Sequence, residues 1–276
     1  MPNPFYGIFP ASSSLGSSNT IVQRQLWVAY PQFSSLAVDG INSHTAIYPG
    51  LELSLEKRVS HGLSLLWNYC WAKLMENNLT SMVNTRHYRS ISSSDRSGVM
   101  NLAFVYELPF GARSSRLMRR LAGGWSVSGR LYLASGQPMS ISDVNGRPLR
   151  LRNAAKSGSV RDRLGDRLDP ATRTVLNPYF DVTAFASLPA QYTISPEPPT
   201  FAELRSPGRA MMDLSLIKRF KVRERLSFDA RMDATNFTNT PQFGAPGTNM
   251  ANKATFGVIQ TAGNPRIVQL AFRAVF

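Results

Sequence analysis

Apolar and polar residues alternate with a period of two along segments of about ten residues, and the repeat recurs from residue 51 to the C-terminus. In residues 226–235 one face reads Leu226, Phe228, Ala230, Met232 and Ala234, and the other reads Ser227, Asp229, Arg231, Asp233 and Thr235. Only a strand separates such a sequence into two faces, because successive side chains point to opposite sides. Leu51, Leu53 and Leu55 alternate with Glu52, Ser54 and Glu56, continuing to Lys57 and Arg58. Val268, Leu270, Phe272, Ala274 and Phe276 stand against Gln269 and Arg273. Leu63, Leu65, Trp67, Tyr69 and Trp71 share a face, as do Leu102, Phe104, Tyr106 and Leu108 in 101–110. So do Trp125, Val127, Gly129, Leu131 and Leu133 in 125–135. Within 210–220, Met212, Leu214, Leu216 and Phe220 oppose Asp213, Ser215 and Arg219. An eighth strand is expected around residues 34–40.

Alternation is also found in soluble sandwiches, so strand length and spacing decide between the two. Sandwich strands run about 5–6 residues, whereas a tilted strand needs about 9–11 to cross a membrane. Connections of short or moderate length, 60–62, 111–123 and 221–224, alternate with long ones at 76–97, 136–209 and 239–265. That is the rhythm of short periplasmic turns and long external loops. Phe110, Phe220 and Phe276 fall at the expected periplasmic ends, and Trp67, Tyr69 and Trp71 lie toward the outer end of an outward-running strand. Two interfacial girdles produce this placement, since amphipathic rings favour the headgroup zone. The expected fold is therefore all-β: about seven or eight antiparallel, up-and-down strands of a transmembrane β-barrel, a partial barrel with long external loops. Asp213, Arg219, Asp229, Arg231, Asp233 and Arg273 are expected to face its water-filled lumen as a charge ladder, not as an acid/base pair. Residues 1–30 form a poorly defined N-terminal segment, and 31–276 the strands.

Composition narrows the function. With 43% hydrophobic and 17% charged residues the chain is neither a polyelectrolyte nor a helical membrane protein, and no run approaches the roughly 20 apolar residues of a spanning helix. Lys and Arg number 31 against 17 Asp and Glu, a net charge of +14. The cations alternate with polar residues or lie in connecting segments, with no basic helix or stacking platform, so nucleic acid is not the expected partner. The single Cys70, mid-strand, excludes a disulfide framework or CxxC site. His44, His61 and His87 are far apart in sequence, and no HExxH, GxSxG, Walker or Rossmann motif occurs. No enzyme, cofactor or metal site is expected. The start Met1-Pro2-Asn3-Pro4-Phe5 has neither the basic nor the apolar region of a signal peptide.

Several motifs in order resemble the barrel region of TonB-dependent receptors of the Oar-like kind. Residues 51–64, LELSLEKRVSHGLS, look like the family's strand–turn–strand signature, followed by Tyr69-Cys70-Trp71-Ala72-Lys73. Tyr106-Glu107-Leu108-Pro109-Phe110-Gly111, Gly123-Gly124-Trp125 and Ser135-Gly136-Gln137-Pro138 are similar to the succeeding strands and turns. Asp213-Leu214-Ser215-Leu216, Asn236-Phe237-Thr238-Asn239 and Phe243-Gly244-Ala245-Pro246 complete the set. The last strand, with Phe272 and the terminal Phe276, resembles the signal read by the barrel-assembly machinery. The resemblance implies a bacterial outer-membrane protein, embedded in outer-membrane lipid, whose full form has a plug domain and a barrel of about 22 strands. It would import a substrate with energy delivered by TonB through the plug. The chain departs from that pattern in lacking a signal peptide, plug and TonB-contacting box. Where the family carries an arginine- and histidine-rich stretch it has only Asp95-Arg96-Ser97-Gly98. It is thus expected to be a fragment needing the remainder of the barrel, the alternative being a small autonomous eight-stranded barrel with a structural or adhesive role.

Overall fold

The computed structural model describes all residues except 11, 28–29, 34–43, 80–86, 111–121, 145, 161–177, 190–194 and 224–225. The expected strand around 34–40 lies outside the described residues. The chain divides into two units, Met1–Ser43 and His44–Phe276.

In the larger unit seven long strands form one antiparallel sheet: β1 (Gly50–Ser60), β2 (Leu63–Ala72), β3 (Gly98–Glu107), β4 (Trp125–Ala134), β5 (Arg209–Arg223), β6 (Leu226–Thr235) and β7 (Ile267–Val275). Their order across the sheet is their order along the chain, so every strand pairs with its sequence neighbours and no connection crosses over. Among the described residues no helix is long and apolar enough to cross a membrane.

Register carries the alternation of each strand across the whole sheet. Antiparallel partners lie on one face, and Leu63, Tyr106, Val127, Leu216, Met232 and Leu270 pair in one unbroken line through β2–β7. The next line, on the opposite face, reads Ser64, Val105, Ser128, Ser215, Asp233 and Gln269. A slip of one residue in any strand would put its apolar set among the polar ones, so the pattern and the register specify each other. The apolar face is largely uncovered: Leu51, Leu53, Leu55, Leu270 and Phe272 are all exposed, Phe272 by 84%.

Turn chemistry fixes the ends. β1 and β2 are joined by His61 and Gly62, both at positive φ (54° and 77°), as a two-residue hairpin with the sheet's twist requires. A Cβ on Gly62 would stand 2.7 Å from the Glu107 carbonyl oxygen. Two strand boundaries differ from the sequence expectation. β3 begins three residues earlier, at Gly98, and stops at Glu107 instead of running through Phe110. Pro109 has no N–H to continue the ladder, so Phe110 sits exposed beyond the strand. β5 runs 15 residues, shortening the connection to β6.

The long connections depart most from expectation. They are folded: Met75–Leu79 and His87–Ile91 form one sheet with Thr45–Ile47, which precedes β1, while Pro138–Met139 pairs with Phe201–Arg205, and Leu149–Arg150 with Phe185–Ala186. They also hold the apolar core. Ile141, Tyr179, Phe180, Phe185, Phe201, Leu204, Phe256 and Ile259 are buried together, Phe180 completely. The rings pack edge to face, Phe180 against Phe256 at 5.3 Å and against Phe185 at 6.2 Å.

The smaller unit is organised by one side chain. Asn3 Nδ2 donates to the Leu15 and Ser18 carbonyls (both 2.7 Å), while its Oδ1 accepts from the Phe5 amide at 2.9 Å. Two single-turn helices, Ser14–Ser17 and Gln23–Leu26, complete it.

Candidate functional site

Two features of the larger unit carry chemistry: the polar face of the sheet and the cap that the long connections build at one end of it.

The polar face brings Asp213, Arg219, Asp229, Arg231, Asp233 and Arg273 together across β5–β7. Arg219 forks onto Asp229 (Nε 2.9 Å, Nη2 3.3 Å), and Arg273 is the register partner of Asp229 on its other side. Arg231 Nε lies 2.8 Å from Asp233, whose carboxylate also accepts the Ser215 hydroxyl. Arg130 of β4 reaches Asp213 at 3.2 Å. The arginines are half exposed, so each pair contributes under about 1 kcal/mol. Their effect is to make the face hydrophilic while each of the three aspartates is matched by an arginine. Toward β2–β4 the same face changes character: Ser64, Ala103, Ser128 and Ser215 are small and leave a hollow of about 450 Å³, bordered by Arg130 and Asp213.

On the opposite face Trp67 stacks against Tyr69 (6.3 Å between centroids), and Trp71 is exposed. Phe220 lies near the other end of the sheet, paired with Phe228. Lys218, at a position the alternation assigns to the apolar face, is buried. Its ammonium sits 5.1 Å from the Trp125 ring and 5.0 Å from Phe220, and donates to the Gly123 carbonyl. A cation between two rings with its proton capped by a carbonyl is how a lysine is accommodated on an apolar face. Phe272 projects from the apolar face of β7, and Phe276 follows that strand, 95% exposed.

The cap is held by polar links that sequence periodicity does not reveal. Asp95 is the centre: its fully buried carboxylate accepts the Leu74 amide (2.6 Å) and the Arg205 guanidinium (2.7 Å), and Arg205 also donates to the Gly136 carbonyl at 2.9 Å. Arg96 donates to the Ser135 carbonyl at 2.8 Å. Thus Asp95-Arg96, read from sequence only as a departure from a family pattern, joins the first long connection to the second. Tyr88 donates to the Ser195 carbonyl (2.7 Å) beneath the Arg147 guanidinium, 4.5 Å above its ring. The third connection joins through Tyr179 N to Gly257 O (2.8 Å) and Met250 N to Ser142 O (2.9 Å). Asn236, at φ 50°, turns the chain out of β6: its side chain binds Thr240 N, Thr240 O and Asn264 O, and its own amide donates to Asp213. On the cap, Asp181 accepts from the Thr183 hydroxyl and amide and from Arg152, and these bonds, the Thr183 hydroxyl foremost, hold its carboxyl below the usual range.

A model of the outer membrane beta barrel domain matches residues 3–269. The chain belongs to that family. Its uncovered apolar face is accordingly the lipid-facing one, and the protein resides in the bacterial outer membrane. No curated protein and no solved structure matches the chain. Outer-membrane barrel domains of this kind are generally not enzymes, and among the described residues no three His, Cys, Asp or Glu gather where they could hold a metal. Cys70 is half-buried on the polar face, its Sγ 3.4 Å from the Tyr48 hydroxyl.

Arg205 and the Phe180 cluster escaped sequence reading, and Asp95 and Asn236 entered it only as parts of motifs, without their structural roles. A strand signals its faces by repetition, whereas each of these works through a partner up to 110 residues away.

Proposed function

We propose that the seven strands belong to a larger TonB-dependent receptor barrel, which takes up a substrate across the outer membrane when its plug and remaining strands are present. The observation that carries this is the direction of the sheet's two edges. Among the described residues β1 pairs only with β2, and β7 only with β6. In a sheet of seven antiparallel strands the edges β1 and β7 run the same way, so joining them would make a parallel pair, which bacterial single-chain barrels with even strand numbers do not use. Lipid cannot satisfy either row of free amides and carbonyls. Two copies edge to edge meet the same obstacle, because β7 of one would lie parallel to β1 of the other.

The remaining features accord with this reading. The polar face with its ladder from Asp213 to Arg273 is the lumen wall, and the cap on the long connections is the external, substrate-meeting surface. Trp67, Tyr69, Trp71, Phe110 and Phe220 serve as interfacial aromatics, and Phe272 with Phe276 as the signal for the barrel-assembly machinery. TonB would act through the plug and not on these strands. A second reading has its own support: one further outward-running strand makes the count even, so an autonomous eight-stranded barrel with a structural or adhesive role competes.

Sequencing the genomic DNA upstream of the Met1 codon separates the two. A plug domain and further alternating strands, in frame or behind a frameshift or stop, is the expected result. A signal sequence joined directly to residue 1, or unrelated sequence with its own promoter, would sink the transporter reading and leave the eight-stranded barrel.

A further inference from the structure

The polar face of the sheet is not uniform. In β5 and β6 its carboxylates are matched by arginines, but at the cap end of β1–β4 it turns almost neutral. Register brings Ser54, Asn68, Asn101 and Tyr132 into one row across those four strands. Among the described residues no hydrogen bond engages their side chains. One rung nearer the cap, Glu52, Cys70 and Val99 form the next row of the same face. The two rows border a hollow of about 340 Å³, lined by Glu52, Ser54, Asn68, Cys70, Val99 and Asn101. Tyr48, an exposed ring just before β1, stands beside it with its hydroxyl 3.4 Å from the Cys70 Sγ.

These groups suit one ligand chemistry. Asn amides donate and accept, and so do Ser and Tyr hydroxyls, which is the pairing that a ligand hydroxyl needs. Adjacent strands stand about 4.8 Å apart, so neighbours in the row can reach two hydroxyls of one sugar ring. The negative face of an aromatic ring adds a surface for the C–H side of such a ring. Glu52 is the only charged residue lining the hollow, so an anion meets a like charge there and no cation. We propose that the hollow binds a neutral saccharide unit, with Asn68 and Asn101 bonding its hydroxyls and Tyr48 stacking on it. Long connections of an outer-membrane barrel are external, so the hollow lies where a solute entering from outside meets the inner wall. The inference deepens the receptor reading by naming a substrate class, and it rests on that reading for a lumen wide enough to admit the ligand.

Cys70, the single cysteine of the chain, reports occupancy of the hollow. The full chain in micelles of lauryldimethylamine oxide, a detergent without a sugar headgroup, is labelled with iodoacetamide while maltotriose, cellotriose or trigalacturonate is titrated in. One of the two neutral trisaccharides is expected to slow labelling about threefold at twice its dissociation constant, when about a third of the hollows remain open. Trigalacturonate, of similar size but anionic, is expected to leave the rate unchanged. Asn101→Leu, at an exposed position that empties no core, and Asn68→Leu should each weaken the protection without changing the rate in the absence of sugar. The proposal is overturned if neither neutral sugar protects Cys70 at about 50 mM, where a millimolar site would be full. It is equally overturned if trigalacturonate protects as well, or if protection survives both substitutions. The assay needs neither plug nor TonB. A plug found upstream with no protection of Cys70 sinks the saccharide site alone, whereas no plug upstream sinks the receptor reading whatever Cys70 shows.

Discussion

The sheet and the cap solve the burial problem in opposite ways. In the sheet, apolar side chains line one face and remain uncovered, because the lipid of the outer membrane supplies their surroundings; Leu270 and Phe272 are 67% and 84% exposed. In the cap, Phe180, Ile141 and Leu204 are buried almost completely, as in a soluble domain. Backbone hydrogen bonding differs in the same way. The sheet satisfies itself through a ladder repeated from strand to strand, while the cap depends on individual side chains such as Asp95, Arg205 and Asn236. Repetition makes the sheet tolerant of many single changes on its polar face, whereas unique contacts make the cap vulnerable at a few positions. The comparison teaches that a membrane barrel strand and a folded external loop obey different solvents within one chain.

The sharpest way to break this contrast is Phe180→Ala. Removing a fully buried ring costs about 3–5 kcal/mol, and the loss should fall on the cap alone. Hydrogen exchange by mass spectrometry should show the cap connections opening while β2–β6 stay protected. Loss of protection in both at once would mean that cap and sheet are one cooperative body.

Next is Asp95→Ala, which strands the Arg205 guanidinium among buried partners. Breaking such a pair costs roughly 3 kcal/mol or more. Limited proteolysis should then cut the cap connections, and the double change Asp95→Ala with Arg205→Met should recover part of the resistance. If the single variant resists protease like the wild type, the link does not hold the connections.

The faces themselves can be tested with two adjacent residues of β3. Leu102, between Trp67 and Leu131 on the apolar face, should lose about 2–4 kcal/mol on change to Arg in a lipid bilayer. Asn101, one residue earlier and on the other face, should accept Arg with little change. Comparable losses in urea titrations of the two variants would contradict the assignment of lipid and water sides.

The smallest expected effect is a pH dependence in the cap. Asp181 is held below the usual carboxylate range by Thr183 and Arg152, so its folded value is lower than its unfolded one. Its contribution is complete above the unfolded value and disappears as pH falls through the folded one. Because Asp181 is one-third exposed, the amount is under about 1 kcal/mol. Asp181→Asn should flatten the acid limb of cap unfolding slightly, and an unchanged limb would remove Asp181 as its source.

How far each part was legible follows from how it is encoded. All seven strands could be located, and within β5 and β6 the residues of each face could be named, because a period of two needs no partner to be visible. Boundaries were less legible: β3 stops at Glu107 because Pro109 interrupts the ladder, a local rule that the alternating Leu108 concealed. Lys218 broke the alternation, and only the rings of Trp125 and Phe220, on two strands, explain its place. The external connections were read as loops because Phe180, Phe201 and Phe256 carry no period, and their meeting depends on where the strands deliver them.

By itself, then, the amino-acid sequence determined that this protein is a set of long antiparallel strands with one apolar and one polar face, since that follows from side-chain alternation along a single strand. That the faces stay in phase across seven strands, and that the long connections fold around a buried aromatic cluster, came from the tertiary structure alone. Those outcomes depend on register and on contacts between residues remote in the chain, which no local pattern can specify.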